Sequence, residues 1–323
     1  MWLYVTIVIL LWLANKWFRN KQRIGNYGNR YVVITGCDSG FGHFLTKKLD
    51  VLGFHCFAGC LTEEGLVKLN RETSSKVKPV ILDVSKTESI ETALEFVQLN
   101  LPQNTGIWGL VNNAGISGPA VPVEWLNKTD YKSVFEINTL GMIETSRIFL
   151  PLVLKSKGRI VNITSVAGRM AALSGPYAVS KYAAEGYSDV LRCELYKRGV
   201  TVHIIEPGCF KTRITDPDVM CNAIDVYYDK LQMDIQSNFG PGFLKQYKES
   251  VKKGLTIVAC PDIDHVINAY VHALTAKFPK HRYLVGWDAR FLVHVLGRLP
   301  EGVADYIFGS SMPIPDLEKT KFD

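Results

Sequence analysis

An apolar run, Tyr31-Val32-Val33-Ile34-Thr35, leads without interruption into Gly36-Cys37-Asp38-Ser39-Gly40-Phe41-Gly42, and a helical pattern follows to Leu52, where Gly53 breaks it. A short apolar strand, a glycine-rich turn and a helix in direct succession open a βα unit. Such a unit needs a parallel neighbour, reached by a crossover. The rest of the chain supplies neighbours. Residues 54–60, 80–82, 107–111, 159–163, 200–205 and 283–285 read as further short apolar strands with helical stretches between them. This alternation predicts an α/β fold with about seven parallel strands, doubly wound and covered by helices on both faces. The 323 residues are ample for one such domain.

Glycine in the first turn lets the backbone approach a pyrophosphate, and the N-terminus of the next helix favours its charge. A glycine-rich loop alone is a weak signal. Directly after a strand and before a helix, it makes the domain a Rossmann-like, dinucleotide-binding one. Its candidate contacts are Gly36, Ser39, Gly40, Phe41 and Gly42. In open parallel sheets the ligand lies beyond the carboxyl ends of the strands. Those ends carry Asp83 and Val84, then Asn112, Asn113, Ala114 and Gly115, and later Pro207 and Gly208. A carboxylate at Asp83 can accept a hydrogen bond from an adenine amino group, but taken alone it reads better as a helix N-cap for the SKTESI segment. The Asn-Asn-Ala-Gly string reads equally as a turn.

Tyr177 and Lys181, four apart in a helix-compatible stretch, share one helix face. A free phenol ionises at about pH 10, too high for a base at neutrality. A neighbouring ammonium stabilises the phenolate and lowers that value, so the pair suits acid/base work. Alone, such a pair is common by chance. Ser165, just after the fifth strand, could hold a substrate oxygen or simply cap a turn. Asn138 by itself reads as a buried, satisfied amide. The order carries the weight: glycine-rich turn, NNAG, Asn138, Ser165 and YxxxK follow one another, each at the end of a predicted element.

With these motifs in place, the chain resembles the short-chain dehydrogenase/reductase family from Tyr31 to about Tyr283. Within it, the chain is similar to the branch of microsomal retinol dehydrogenases and 17β/3α-hydroxysteroid dehydrogenases. The strings ITGCDSGFG, CLTEEG, LDVSKTESI, WGLVNNAGISG, EPGCFKT, HALTA and RYLVGWDA carry that likeness, with the apolar MWLY start. The resemblance implies roles. Tyr177 would exchange the alcohol proton, and Lys181 would lower its pKa and bind the nicotinamide ribose. Ser165 would hydrogen-bond the substrate oxygen, and Asn138 would hold a water in the proton relay. Pro207, Gly208 and Thr212 would flank the nicotinamide, with Phe210 beside the substrate. A homodimer through the helix carrying YxxxK is also compatible with the family. Departures exist: SGPY stands where the branch often has GGGY, and Cys60-Leu61 stands where many NAD enzymes of the family have Asp. Ser39 is not basic, and Glu63 and Glu64 would repel a 2′-phosphate, so NAD is expected over NADP.

The N-terminus sets a second constraint. Residues 2–18 are almost wholly apolar (WLYVTIVILLWLA, then Trp17 and Phe18). As a helix they reach about 26 Å, against a bilayer core of about 30 Å. An uncleaved anchor, a cleaved signal peptide and a buried helix compete. No basic residue precedes the apolar run, whereas Lys16, Arg19, Lys21 and Arg23 lie at its end or beyond. That favours an anchor with the main domain on the cytosolic side, and the resemblance to microsomal enzymes implies the endoplasmic reticulum membrane. The expected layout is anchor 1–18, linker 19–30, catalytic domain 31–285 with a helical lid over about 210–260, and a C-terminal segment 286–323. Two apolar runs in that last segment, 291–299 and 303–308, could lie on the membrane or simply pack. Phe210, Ile214, Met220, Ile224, Tyr227, Tyr228, Leu231, Met233 and Phe239 give the lid an apolar character, through pocket lining or through its own core. Beside an anchor this suits a lipophilic alcohol, retinol first and a hydroxysteroid second. The formal charge of +6 comes without a dense basic stripe, which argues against nucleic acid. Seven cysteines show no CxxC pair and no spacing with His that suits a metal, so free thiols and no metal are expected. A non-catalytic nucleotide-binding protein is the reading of another class; retention of Tyr177 and Lys181 weighs against it.

Overall fold

Residues 2–170, 175–310 and 313 are described by the computed structural model of the chain. Apolar runs form β1 (Tyr31–Ile34), β2 (His55–Cys60), β3 (Val77–Ile81), β4 (Gly109–Asn112), β5 (Arg159–Ile163), β6 (Thr201–Pro207) and β7 (Arg282–Val285). They make one sheet in the order β3-β2-β1-β4-β5-β6-β7, with every pair parallel. The chain changes direction between β1 and β4, which opens a crevice beyond the carboxyl ends. The helices are α1 (Trp2–Lys21), α2 (Gly40–Leu52), α3 (Glu63–Glu72), α4 (Thr87–Asn100), α5 (Lys128–Phe135) and α6 (Gly141–Lys155), then α7 (Gly175–Leu195), α8 (Pro217–Asp229), α9 (Met233–Val258), α10 (Asp264–Thr275), α11 (Trp287–His294) and α12 (Glu301–Gly309).

Alternation along the strands builds two cores. Val32 and Ile34 face Leu45 and Leu49 of α2 and Ile267, Tyr270 and Leu274 of α10. Val33, Leu110 and Ile160 face Ile90 of α4, Phe149 of α6 and Leu191 of α7. β3 begins three residues before the expected position 80. Pro79 reads as a strand breaker, yet β3 is an edge strand, where the missing N–H is tolerated. The continuous helical run Lys128–Lys155 is apolar and long enough to cross a membrane, but more than half of it is buried in the domain. It is a core helix.

α1 runs to Lys21, beyond the expected end at 18, and its apolar side chains, among them Trp2, Leu10, Leu11, Trp12 and Trp17, are exposed. Its exit is fastened to α10. The Ile24 N–H donates to the Thr275 carbonyl at 2.7 Å, and the Lys277 N–H donates to the Gln22 carbonyl at 2.9 Å. The expected lid consists of α8 and α9, with a break at Gly240 (φ 65°) before Pro241. Most of its aromatic and aliphatic side chains close on one another. Ile224, Phe239 and Phe243 gather around Trp125, with Tyr227, Tyr228 and Leu231 packed against them, whereas Met233 is exposed. Tyr227 donates its hydroxyl to Asp130 at 2.6 Å and so latches α8 to α5.

His203 on β6 is fully enclosed, with Nδ1 2.7 Å from the Lys280 carbonyl and Nε2 2.8 Å from the Thr201 hydroxyl. A neutral ring that donates from Nδ1 and accepts at Nε2 satisfies both. Burial pushes its pKa down to about 3. The unfolded ring binds a proton near pH 6.5, so the folded state is favoured in full above that pH and loses stability as pH falls toward 3. Urea unfolding at pH 7.5 and 5 is expected to show this loss, and His203→Gln is expected to flatten it. Equal slopes for the two proteins would show that the ring is not responsible.

Candidate active site

The glycine-rich turn is shaped by contacts that leave no space for side chains. Gly36 has φ +71°, and a Cβ there would lie 2.8 Å from the Ala114 Cα. At Gly42 a Cβ would lie 2.4 Å from the Gly36 carbonyl oxygen and 2.5 Å from Asn113 Nδ2. Ser39 is the N-cap of α2, yet its side chain makes no capping bond, so the first N–H groups of α2 face the crevice without a side-chain partner. These features fit a dinucleotide pyrophosphate. Gly42→Ala is expected to abolish measurable cofactor binding by calorimetry; unchanged affinity would mean the turn gives way without cost.

Asn112 and Asn113, adjacent in sequence, divide the work as strand alternation dictates. Asn112 ties the sheet internally, donating to Ser146 and Asn162 at 2.8 Å each. Asn113 donates to the carbonyls of Thr35 and Gly36 at 2.9 and 3.0 Å and accepts from Tyr270 at 3.0 Å, fixing the glycine-rich turn to β4. Asp38 has a position that only the structure reveals. Its carboxylate accepts from the Leu61 N–H at 2.8 Å, the Thr62 N–H at 2.9 Å and the Thr62 hydroxyl at 2.8 Å, so it stands at the carboxyl end of β2. Asp83 accepts from the Ser85 N–H at 3.0 Å and its hydroxyl at 2.6 Å, a local turn before α4. Burial would raise its pKa, but Ser85 and Lys86 outweigh it and hold the carboxyl below its ordinary value. Val84 is buried against Gly141.

Asn138, Tyr177, Lys181 and Ser165 converge. α5 and α6 join through a π-helical turn, Glu136–Leu140, and Asn138 lies buried in it. Such turns often mark functional sites. Its amide accepts from the Ile116 N–H and donates to the Ile116 carbonyl, both at 2.9 Å, and donates to Ser180 at 3.0 Å. A Cβ at Gly115 would lie 3.1 Å from Asn138 Oδ1 and 3.6 Å from Lys181 Nζ, which places those two groups around one bare backbone position. Lys181 Nζ lies 5.6 Å from the centre of the Tyr177 ring and donates to the Ile163 carbonyl at 3.3 Å. Ser165 caps a short turn after β5, accepting from the Ala167 N–H at 3.1 Å. Burial pushes the Tyr177 phenol above its ordinary value, while the Ser165 hydroxyl pulls it down. Burial also pushes Lys181 down to about 8, against the pull of Glu185 one turn further along α7. Pro176 sits in the first turn of α7, where its missing N–H costs nothing; Ser174 lies outside the described residues.

The loop after β6 is gripped from the C-terminal side. Asp288 of α11, 4% exposed, accepts the Cys209 N–H at 2.6 Å. A Cβ on Gly208 would lie 2.1 Å from that carboxylate, so the loop needs glycine there. The Gly208 N–H donates to the Val285 carbonyl at 2.8 Å. Thr212 opens a short turn closed by Thr215, whose hydroxyl accepts the Thr212 N–H at 3.0 Å. Phe210 is 2% exposed, and its ring meets Phe41 edge-on at 6.0 Å, beneath the glycine-rich turn rather than in open space. Among the described residues, no group of His, Cys, Asp or Glu is arranged to hold a metal ion. The cysteines are free, with Cys37, Cys56 and Cys60 buried together.

Comparison with known proteins identifies the family. A family model described as short chain dehydrogenase matches residues 30–220. The chain is 44% identical over 305 residues to retinol dehydrogenase 16 of Mus musculus, covering 94% of this chain and 96% of that protein. It is 41% identical over 315 residues to 17-beta-hydroxysteroid dehydrogenase type 6 of Bos taurus, covering 98% and 99%. A solved short chain dehydrogenase/reductase of Burkholderia phymatum, in complex with NAD, is similar with a TM-score of 0.68 at 20% identity, covering 91% of this chain and 99% of that one. A short chain dehydrogenase of Burkholderia cenocepacia, in complex with NADP, gives 0.64 at 20%, covering 86% and 96%. At that identity the two structures speak for the fold alone. The chain belongs to the short-chain dehydrogenase family and is an alcohol dehydrogenase that uses a nicotinamide dinucleotide.

Proposed function

We propose that this chain oxidises a lipophilic alcohol with NAD, retinol to retinal being the first choice and a 17β- or 3α-hydroxysteroid the second. The observation that carries the proposal is the convergence of Asn138, Lys181 and Tyr177 beside Gly115, at the mouth of a turn shaped for pyrophosphate. The similarity to a retinol dehydrogenase and a hydroxysteroid dehydrogenase supports the choice of substrates.

In this reading Gly36, Ser39, Gly40, Phe41 and Gly42 hold the pyrophosphate, and Asp83 and Val84 flank the adenine. Ala114 and Gly115 line the middle of the crevice, with Asn112 behind them, turned into the sheet. Pro207, Gly208 and Thr212 flank the nicotinamide, which supplies the hydride acceptor when bound. Tyr177 takes the alcohol proton while Ser165 holds the same oxygen. The protein by itself makes the phenol harder to ionise than in water. The charge of Lys181 is the local group that favours phenolate, and positioning of the substrate oxygen supplies much of the rest. Asn138, fully engaged by Ile116 and Ser180, fixes the wall of the site, and a relay water would rest against it. Phe210 reaches the substrate only if the loop after β6 moves.

NAD is favoured over NADP because Asp38 fixes a carboxylate at the end of β2, with Glu63 and Glu64 opening α3 beside it. A 2′-phosphate there meets three negative charges. α1 serves as an anchor in the endoplasmic reticulum membrane, leaving the domain on the cytosolic side, and α7 offers a face for a homodimer. The test is NAD(P) reduction by microsomes carrying the protein, with all-trans-retinol and an androgen diol, beside Tyr177→Phe. Turnover with NAD that vanishes in the variant supports the reading. Equal signals from both proteins, or a clear preference for NADP, would overturn its respective parts. A glycan on Asn127, which is exposed at the start of α5, would reverse the orientation.

A further inference from the structure

β7 is an edge strand, and a cavity of about 1000 Å³ runs along it between α10 and α11. Its charged lining is almost wholly cationic: Arg169, Lys280, Arg282, Arg290 and Arg298, with Glu206 the one carboxylate. Arg169 and Arg282 already contact Glu206, at 3.1 and 2.8 Å. Lys280, Arg290 and Arg298 have no ion pair among the described residues. Among the described residues, three cations therefore line one groove without an ion-pair partner. Trp287 of α11, which lines the groove, is 63% exposed, and Phe291 of the same helix is 50% exposed. The groove also has a fixed relation to α1. Asn20, in the last turn of α1, lines it, and the His272 ring nitrogen lies 3.1 Å from the Asn20 carbonyl. An exposed apolar helix, aromatic side chains and unpaired cations thus meet at one level, as they do at the boundary between acyl chains and phosphates of a bilayer.

We propose that this groove binds the headgroup of an anionic phospholipid, the phosphate between Arg290, Arg298 and Lys280 and the acyl chains along Trp287 and Phe291. The proposal rests on the reading of α1 as a membrane anchor. Charge complementarity selects the occupant: guanidinium groups match phosphate oxygens in pairs, and the lining has no free carboxylate for the choline of a zwitterionic lipid.

The test uses the full chain in nanodiscs of phosphatidylcholine with and without phosphatidylserine. Lipid retained after detergent extraction is counted by native mass spectrometry. Wild type is expected to enrich phosphatidylserine, by roughly fivefold for each cation engaged. The double variant Arg290→Glu/Arg298→Glu is expected to lose the enrichment while keeping its alcohol oxidation and Tm in detergent. Equal retention of the two lipids by wild type, or undiminished enrichment in the variant, overturns the proposal. So does a lipid-free dimer closed across β7, or displacement of the lipid by millimolar inorganic phosphate alone. A chain that enters neither nanodisc overturns the anchor reading together with the groove; one that enters both without enrichment overturns the groove alone.

Discussion

Tyr177→Phe is expected to lower alcohol oxidation by roughly 10²- to 10⁴-fold, with cofactor affinity and Tm unchanged. The substitution removes one oxygen and keeps the ring, so packing in the first turns of α7 is preserved. That oxygen is the group best placed to take a proton beside Ser165, since Lys181 points its ammonium to the Ile163 carbonyl and Asn138 is committed to Ile116. Single-turnover assays at saturating cofactor would check it, because they isolate chemistry from binding. Residual activity near that of wild type would move the acid/base role elsewhere and leave Tyr177 a wall residue.

Arg282→Met is expected to cost roughly 3 kcal/mol of folding stability, the lower end of what breaking a buried ion pair costs. Arg282 contacts Glu185, reaches Glu206 at 2.8 Å and meets Asp189 as well. Glu206 is fully buried and Glu185 nearly so. Burial and the neighbouring Glu206 already raise the Glu185 pKa, while Thr164 and Arg282 restrain it. Without the guanidinium, two carboxylates face each other in the interior, with Arg169 beside Glu206 and Lys181 within electrostatic reach of Glu185. The midpoint of urea unfolding reads the loss directly. A change below about 1 kcal/mol, typical of surface pairs, would show that solvent already screens the network.

The two substitutions test parts of the molecule that differ in how plainly the sequence displays them. The sheet is legible because most strands are short apolar runs followed by telling residues: the glycine-rich turn after β1, Asn113-Ala114-Gly115 after β4 and Ser165 after β5. Tyr177 and Lys181 are legible because helical spacing alone brings them to one face. The start of β3 is hidden by Pro79, which is harmless only at an edge that the strand order reveals. The lid is half legible: its helices are foreseeable, but the inward turn of Ile224, Tyr228 and Phe239 onto Trp125 depends on a residue about a hundred positions away. Asp38 shows no signal of its own, since its partners Leu61 and Thr62 lie on the next βα turn. The adjacent Asn112 and Asn113 could have been separated by strand alternation, which sends one into the sheet and the other to the glycine-rich turn.

The grip of Asp288 on the loop after β6 bears on where this enzyme can be cut. The family model ends at residue 220, and the last strand ends at Val285. A protein trimmed at either point would retain Tyr177 and Lys181 and lose the carboxylate that holds the Cys209 N–H. The shortest active fragment is therefore expected to run at least through Asp288 and the buried Ala289 behind it. A fusion partner or protease site belongs beyond α11, because the first turn of that helix holds the loop after β6.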